Sequence, residues 1–109
     1  MDMNEYQRLA MVTKKPQPTV KEQITDALLG LGGESGEVLD IFKKSFAGVK
    51  EISADDLKKE LGDVLWYLAE MCDAMGFELG DVAERNIAKL KSRHGDKFSG
   101  YGNRTGAGK

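Results

Sequence analysis

Residues 31–38 read LGGESGEV, and residues 60–67 read ELGDVLWY. Each stretch carries two acids three positions apart, Glu34 with Glu37 and Glu60 with Asp63. Both stretches show the apolar spacing of an amphipathic helix, on which side chains three apart point to the same side. Two such helices packed together would bring four carboxylates into one small volume. Because their repulsion and desolvation would be prohibitive without a cation, the pattern predicts a site for a hard divalent ion such as Mg²⁺.

The composition is that of an ordinary globular domain. The chain has 109 residues, of which 40% are hydrophobic and 31% are charged. We place one domain at residues 1–98 and expect the Gly-rich segment 99–109 to be a flexible tail. A net charge of −2 gives no electrostatic basis for a nucleic acid partner. The N-terminus lacks signal-peptide character and no stretch is apolar enough to span a membrane, so we expect a cytoplasmic protein.

The apolar periodicity predicts an all-α chain with four helices. A short first helix is expected over residues 3–13. The capping box at residues 19–22 begins a long second helix, for which Gly48 is the expected end. Ser53 is expected to cap the start of the third helix, which Gly76 ends.

A fourth helix is expected from about residue 78 to Arg93, with Gly95 closing it. The single cysteine, Cys72, excludes an internal disulfide and is interpreted as a small buried residue. On each of the three longer helices the apolar residues form one stripe that is expected to face inward. These stripes include Leu28, Leu39 and Phe46 on the second helix, Leu61, Leu68, Cys72 and Met75 on the third, and Leu79, Val82 and Ile87 on the fourth.

Glycines crowd around Glu34. They are Gly30, Gly32, Gly33 and Gly36. A glycine inside a helix costs about 1 kcal/mol relative to alanine, so four of them indicate either the close approach of another helix or a ligand, or a break in the helix. The apolar period continues through the segment, which favours a continuous helix.

The acids lie at the edge of the apolar stripes, with Glu34 in the flank of its stripe and Glu37 further round toward Asp40. A solvated face is the alternative interpretation for such pairs, with neighbouring lysines as charge partners. Those lysines would be Lys43, Lys44, Lys58 and Lys59. The repetition of the pair on two consecutive helices favours the cation site.

The last helix carries the opposite charge. Asn86, Lys89 and Arg93 share one face, as the spacing i, i+3, i+7 requires. A cation site together with an Asn, Lys and Arg row is what a polyphosphate needs. Lys and Arg near a helix C-terminus are also common simply because they favour its dipole.

These stretches, together with residues 4–7 (NEYQ) and 86–93 (NIAKLKSR), resemble the MazG-like nucleotide pyrophosphohydrolases of the all-α NTP pyrophosphatase superfamily. The resemblance covers roughly residues 3–98. It implies a four-helix bundle, with one short N-terminal helix and three longer ones, that oligomerisation completes. The partners implied are a nucleoside triphosphate substrate and further copies of the chain, as a homodimer or a dimer-of-dimers tetramer.

The resemblance also implies a reaction, the Mg²⁺-dependent hydrolysis of (deoxy)nucleoside triphosphates between the α and β phosphates, with Mn²⁺ an accepted substitute. It makes Glu34, Glu37, Glu60 and Asp63 the metal ligands. It makes Asn86, Lys89 and Arg93 the substrate-binding residues. Glu37 is our candidate general base and Lys89 the candidate that balances developing charge.

One departure concerns Gly33, because some branches of the superfamily carry an additional acid there. Its absence favours the short MazG-like type over the dimeric dUTPase type. A di-iron bundle is disfavoured, since the chain has no Glu-x-x-His pair. A non-catalytic, metal-dependent nucleotide-binding protein and a helical interaction module remain alternatives. Trp66, Tyr67 and Tyr6 either stack on a base or belong to the core.

Overall fold

The computed structural model describes residues 1–99, which contain α-helices and no strand. The helices are α1 (Met3–Met11), α2 (Val20–Phe46), α3 (Ala54–Met75), α4 (Leu79–Arg93) and α5 (Gly95–Phe98). The predicted all-α fold is confirmed. The expected flexible tail lies, apart from Ser99, outside the described residues. Among the described helices, none is long and apolar enough to cross a membrane.

The ends of the long helices follow from local hydrogen bonds that the sequence announces. The Thr19 hydroxyl accepts a hydrogen bond from the Glu22 backbone N–H at 3.1 Å, which caps α2. The Ser53 hydroxyl accepts one from the Asp56 N–H at 3.3 Å and caps α3 in the same way. Both predicted starts are confirmed.

Gly48 ends α2 in a Schellman motif. Its φ of 75° lies in the left-handed region, its N–H donates to the Ser45 carbonyl at 3.0 Å, and the Val49 N–H donates to the Lys44 carbonyl at 2.9 Å. Gly76, with a φ of 73°, ends α3 with the same pair of bonds. The two expected stops are therefore confirmed.

The predicted end of α1 and the predicted role of Gly95 are wrong, whereas α4 ends at Arg93 as predicted. Helix α1 stops at Met11, because the chain tightens into a turn in which the Thr13 N–H and hydroxyl both donate to the Ala10 carbonyl. Gly95 does not close α4, which ends at Arg93. It is instead the first residue of the short α5, and its φ is not positive.

The helices divide into two compact units, Met1–Leu79 and the residues from Gly80 onward. In the first unit, α3 packs against both α1 and α2. Its small core consists of Ala69, Cys72 and Leu79, with Tyr6, Ala10, Met11 and Leu65 packed around it. Cys72 is buried as expected, and burial raises the pKa of its thiol.

Helix α2 runs unbroken through the glycine-rich segment, as the apolar period predicted. Gly30 is the position where α3 comes close. A Cβ added there would clash with the Tyr67 ring, whereas nothing lies within 4 Å of a Cβ added at Gly32, Gly33 or Gly36. Gly30 therefore permits the close approach of α3, and the other three glycines lie at an open surface.

The expectation that the apolar stripes face inward is only partly correct. On α2, Ala27 is fully buried, but Leu28, Leu39 and Phe46 are 56%, 72% and 83% exposed. Within the first unit α2 contacts α3 through one face only, which leaves the neighbouring part of the apolar stripe uncovered. Five more large apolar side chains were predicted to face inward and are exposed: Leu61, Leu68, Met75, Val82 and Ile87.

Candidate metal centre

Three of the four motif acids converge where α2 and α3 pack together. Glu34, Glu60 and Asp63 each present a carboxylate oxygen, and these oxygens lie within 4.8 Å of one another. Glu34 and Glu60 are half-buried at the seam between the helices, and Asp63 is exposed. The two helices thus deliver three negative charges into one small volume, which we call the acidic cluster.

The carboxylates of the acidic cluster repel one another. Desolvation by the surrounding protein raises the pKa of Glu34, and the carboxylates of Asp63 and Glu60 raise it further, with a hydrogen bond to Glu60 adding to the effect. Within residues 1–99, none of the motif acids forms an ion pair. A proton or a cation bound there would relieve this repulsion.

The neighbouring lysines do not supply that counter-charge. Lys44 pairs with Asp40 at 2.8 Å instead, and Lys43, Lys58 and Lys59 form no ion pair with another residue of the described part of the chain. The solvated-face alternative expected these lysines to pair with the motif acids, and that pairing is not observed in the described part of the chain.

The donor set fits a hard divalent ion. All three donors are carboxylate oxygens, which Mg²⁺ and Mn²⁺ prefer, and no histidine or cysteine belongs to the acidic cluster. Opposite oxygens in an octahedral Mg²⁺ site lie roughly 4 Å apart. The observed spread of up to 4.8 Å is close enough for small side-chain rotations to close the site.

Glu37, the fourth motif acid, is outside the acidic cluster. Its exposed side chain lines a neighbouring cavity of about 220 Å³, in which Glu60 also takes part. Residues three apart on a helix differ by roughly 60° in direction, which permits this split. The same spacing keeps Glu60 and Asp63 together, so side-chain reach decides which acids join the cluster. Glu37 therefore stands beside the acidic cluster, where it can reach a water or a ligand rather than share the same three-oxygen site.

Two aromatic residues flank the other side of the acidic cluster. Trp66 and Tyr67 line a cavity of about 300 Å³ together with Glu34 and Asp63. Their rings meet edge to face, with centroids 5.0 Å apart and planes at 80°. The sequence allowed two interpretations of these residues, core packing or stacking on a base. In the structure both are half-buried and line the wall of a cavity.

Hydrogen bonds hold this aromatic wall in place. The Trp66 indole Nε1–H donates to the Ala10 carbonyl at 3.1 Å and to the Thr13 hydroxyl at 3.0 Å. The Tyr67 ring lies against Gly30 on the opposite helix. Contacts from α1 and α2 therefore fix the orientation of both rings before any ligand binds.

The basic row lies on α4, in the second compact unit. Asn86, Lys89 and Arg93 have exposed side chains, and their spacing puts them on one face of that helix, as the sequence indicated. Their assignment to substrate binding remains a prediction.

Comparison with known proteins supplies the family. The chain matches the MazG nucleotide pyrophosphohydrolase domain over residues 12–98. It belongs to the MazG family. A relative in sequence is the Gene 37 protein of Mycobacterium phage L5, which is 37% identical over 76 residues, covering 66% of this chain and 67% of that protein. No solved structure matches the chain. Membership of the MazG family indicates nucleotide pyrophosphohydrolase activity, and the acidic cluster suits the divalent metal that such proteins typically use.

One buried acid of this MazG chain was not predicted from the sequence. Glu70, on α3, is only 1% exposed, and within the described residues its Oε1 has no hydrogen-bond partner. Burial, and then a hydrogen bond with Asp26, raise its pKa to about 7. Its position in the sequence could have indicated this, because Glu70 follows Asp63 by seven residues and so lies on the same face of α3.

A second acid lies close to Glu70. Asp73 accepts hydrogen bonds from the Lys14 ammonium at 2.6 Å and from the Gln23 amide at 2.8 Å, and the bond from Lys14 is the main reason why its pKa is lowered. These bonds connect the segment after α1 and the start of α2 to α3. They hold the half of α3 that lies beyond the aromatic wall.

Proposed function

We propose that this MazG-family protein hydrolyses nucleoside or deoxynucleoside triphosphates between the α and β phosphates in the cytoplasm, with Mg²⁺ or Mn²⁺ as cofactor. The products are a nucleoside monophosphate and pyrophosphate. The observation that carries the proposal is the acidic cluster, whose three carboxylate oxygens lie within 4.8 Å of one another beside the aromatic-walled cavity.

Each acid has a part in this reaction. Glu34, Glu60 and Asp63 hold the metal, and Glu37 is an additional ligand or a base at its edge. When bound, the metal supplies a Lewis acid that polarises the phosphate oxygens. Glu37 orients a water and takes its proton as the water oxygen bonds to the α phosphorus. The bond from that phosphorus to the α,β-bridging oxygen breaks, and pyrophosphate leaves.

The basic row on α4 completes the proposed machinery. Asn86, Lys89 and Arg93 bind phosphate oxygens of the substrate, and Lys89 balances the negative charge that shifts toward the leaving group. This assignment rests on their shared face and on the chemistry of their side chains.

The protein acts as a homodimer, and two dimers pair in any tetramer. Leu28, Gly32, Leu39 and Phe46 fall on one exposed face of α2. Such an apolar stripe is costly to leave in water, and a second copy of the same chain covers it. Light scattering coupled to gel filtration is expected to show a dimer that Leu39→Glu converts to monomers. A wild-type chain that is monomeric across a wide concentration range would contradict this assembly.

The activity is tested by measuring pyrophosphate release from a panel of nucleoside triphosphates with Mg²⁺. Glu37→Gln is expected to abolish release while circular dichroism stays unchanged, and the exposed Glu78→Gln is the matched control that retains it. A wild-type protein that binds a triphosphate with Mg²⁺ and releases no pyrophosphate from any of them would be a nucleotide-binding protein instead.

A further inference from the structure

The cavity of about 220 Å³ next to Glu37 has an unusual lining. It lies between the second half of α2, the α2–α3 connection and the first turns of α3, and three lysines line it: Lys44, Lys50 and Lys59. Its volume is below the roughly 300–1,000 Å³ of pockets for drug-sized ligands. Five carboxylates also line it, so the size and the lysines together suit a small anion that enters with a cation, rather than a whole nucleotide.

Two of these lysines are available to a ligand. Lys44 is held by Asp40 at 2.8 Å. Lys50 and Lys59 form no ion pair with another residue of the part of the chain that the structure describes. Lys50 follows directly after the Schellman motif at Gly48, where its backbone N–H reaches the Lys44 carbonyl at 3.4 Å. The connection that carries Lys50 is therefore anchored to the end of α2.

The cavity adjoins the acidic cluster through one shared residue. Glu60 lines the cavity and is also a member of the cluster. On the other side, Glu34 and Asp63 are shared between the cluster and the aromatic-walled cavity. The order along α3 is thus lysine, acids, aromatics, and the distance from Lys59 to Tyr67 is about 12 Å at 1.5 Å per residue.

A nucleoside triphosphate has the same order of chemical groups, with terminal phosphates at one end, the cleaved bond between, and the base at the other end. We propose that the lysine-lined cavity is the subsite for the β and γ phosphates, with Lys50 and Lys59 as their ligands. The substrate then lies along the α2–α3 hairpin with its base toward Trp66 and Tyr67. This inference rests on the proposed function and adds the direction in which the nucleotide binds.

The charge of the cavity sets a condition on this binding. Five carboxylates line it against three lysines, so an anion alone is repelled. Pyrophosphate therefore enters with a divalent cation that the adjacent acidic cluster helps to hold. Each lysine contributes one charge-assisted contact, which corresponds to roughly tenfold in affinity.

The test is calorimetric titration of the full chain with inorganic pyrophosphate in the presence of Mn²⁺. Lys50→Met and Lys59→Met are each expected to weaken binding about tenfold. Lys58→Met is the matched control, because Lys58 is adjacent and exposed but does not line the cavity, and it is expected to bind as the wild type does. Lys59→Arg keeps the charge and is expected to retain most of the affinity. Nucleoside monophosphate, which does not reach the subsite, is expected to bind all variants equally.

The outcomes separate this inference from the function. If the wild type releases pyrophosphate from triphosphates while both Met variants bind pyrophosphate normally, the subsite is wrong and the function stands. If pyrophosphate binding depends on Lys50 and Lys59 but no triphosphate is cleaved, the subsite is correct and the hydrolase is wrong. Absence of pyrophosphate binding to the wild type with Mn²⁺, or an equal loss in Lys58→Met, overturns the subsite. Unchanged circular dichroism and Mn²⁺ affinity establish that each variant is folded.

Discussion

Replacing Glu70 by glutamine is expected to change how the stability of the protein depends on pH. Glu70 is 1% exposed, and its pKa is raised from 4.5 to about 7, first by burial and then by Asp26. The folded state therefore holds this proton more tightly than the unfolded state does. Below about pH 4.5 both states are protonated and the native protein keeps the full benefit. As the pH rises toward 7 and above, the unfolded state gains by ionising and stability is lost.

The size of the effect follows from the pKa difference. About 2.5 pKa units at 1.36 kcal/mol each give roughly 3 kcal/mol between acid and neutral pH. Glutamine has nearly the same shape, cannot ionise, and can donate a hydrogen bond to Asp26. Glu70→Gln is therefore expected to be close to wild type at about pH 5 and more stable by up to roughly 3 kcal/mol at about pH 8.

The assay is urea unfolding followed by circular dichroism across this pH range, at fixed protein concentration because an oligomer would otherwise shift the midpoint. The exposed Glu84→Gln on α4 is the matched control and is expected to follow the wild-type profile. Parallel profiles for wild type and Glu70→Gln would refute the reasoning, since they would mean that Glu70 ionises as easily in the folded chain as in the unfolded one.

Three further substitutions test other parts of the structure. Glu34→Gln relieves repulsion in the acidic cluster but removes a metal ligand, so the Tm of the metal-free protein is expected to rise while the increase caused by Mn²⁺ disappears; a variant that Mn²⁺ still stabilises as the wild type would exclude Glu34 as a ligand. Gly30→Ala is expected to lower the free energy of unfolding by about 1–3 kcal/mol because its Cβ would clash with Tyr67. Gly32→Ala, at the open surface, is expected to raise that of a single chain by up to about 1 kcal/mol. Chemical unfolding measures both values, and equal effects would contradict the packing of Tyr67 on Gly30. Thr19→Ala removes the α2 cap and is expected to lower the free energy of unfolding by about 1 kcal/mol in the same assay. An unchanged free energy of unfolding would mean that the cap bond does not form in solution.

The helices were predictable because their signals are local. A hydroxyl at Thr19 or Ser53 and a glycine at Gly48 or Gly76 act within four or five residues, and each works as the sequence indicated. The end of α1 was missed because Thr13 is committed to the tertiary contact with Trp66, which no local pattern reveals.

The candidate site was predictable in composition but not in arrangement. Helical geometry placed Glu34 and Glu60 at the seam, and both are half-buried there. Side-chain reach then decides that Asp63 joins them and that Glu37 lies in the next cavity, which spacing alone does not determine. The sequence overestimated how many residues of the apolar stripes are buried. A sequence pattern does not distinguish a helix face that the same chain covers from one that it leaves open. Glu70 was missed because an acid in a helix stripe is ordinarily taken as charged and exposed.

Trp66 is the sole tryptophan of the chain, and its indole is fixed to Ala10 and Thr13 while its ring lines a cavity shared with Glu34 and Asp63. The protein therefore carries a built-in fluorophore at the wall of its own candidate site. Quenching or a spectral shift on adding Mn²⁺ or a nucleotide would report occupancy in real time, without a label. The same emission would respond to detachment of α1, so titrations of Thr13→Val beside the wild type would separate a ligand signal from one caused by loosening of the N-terminal helix.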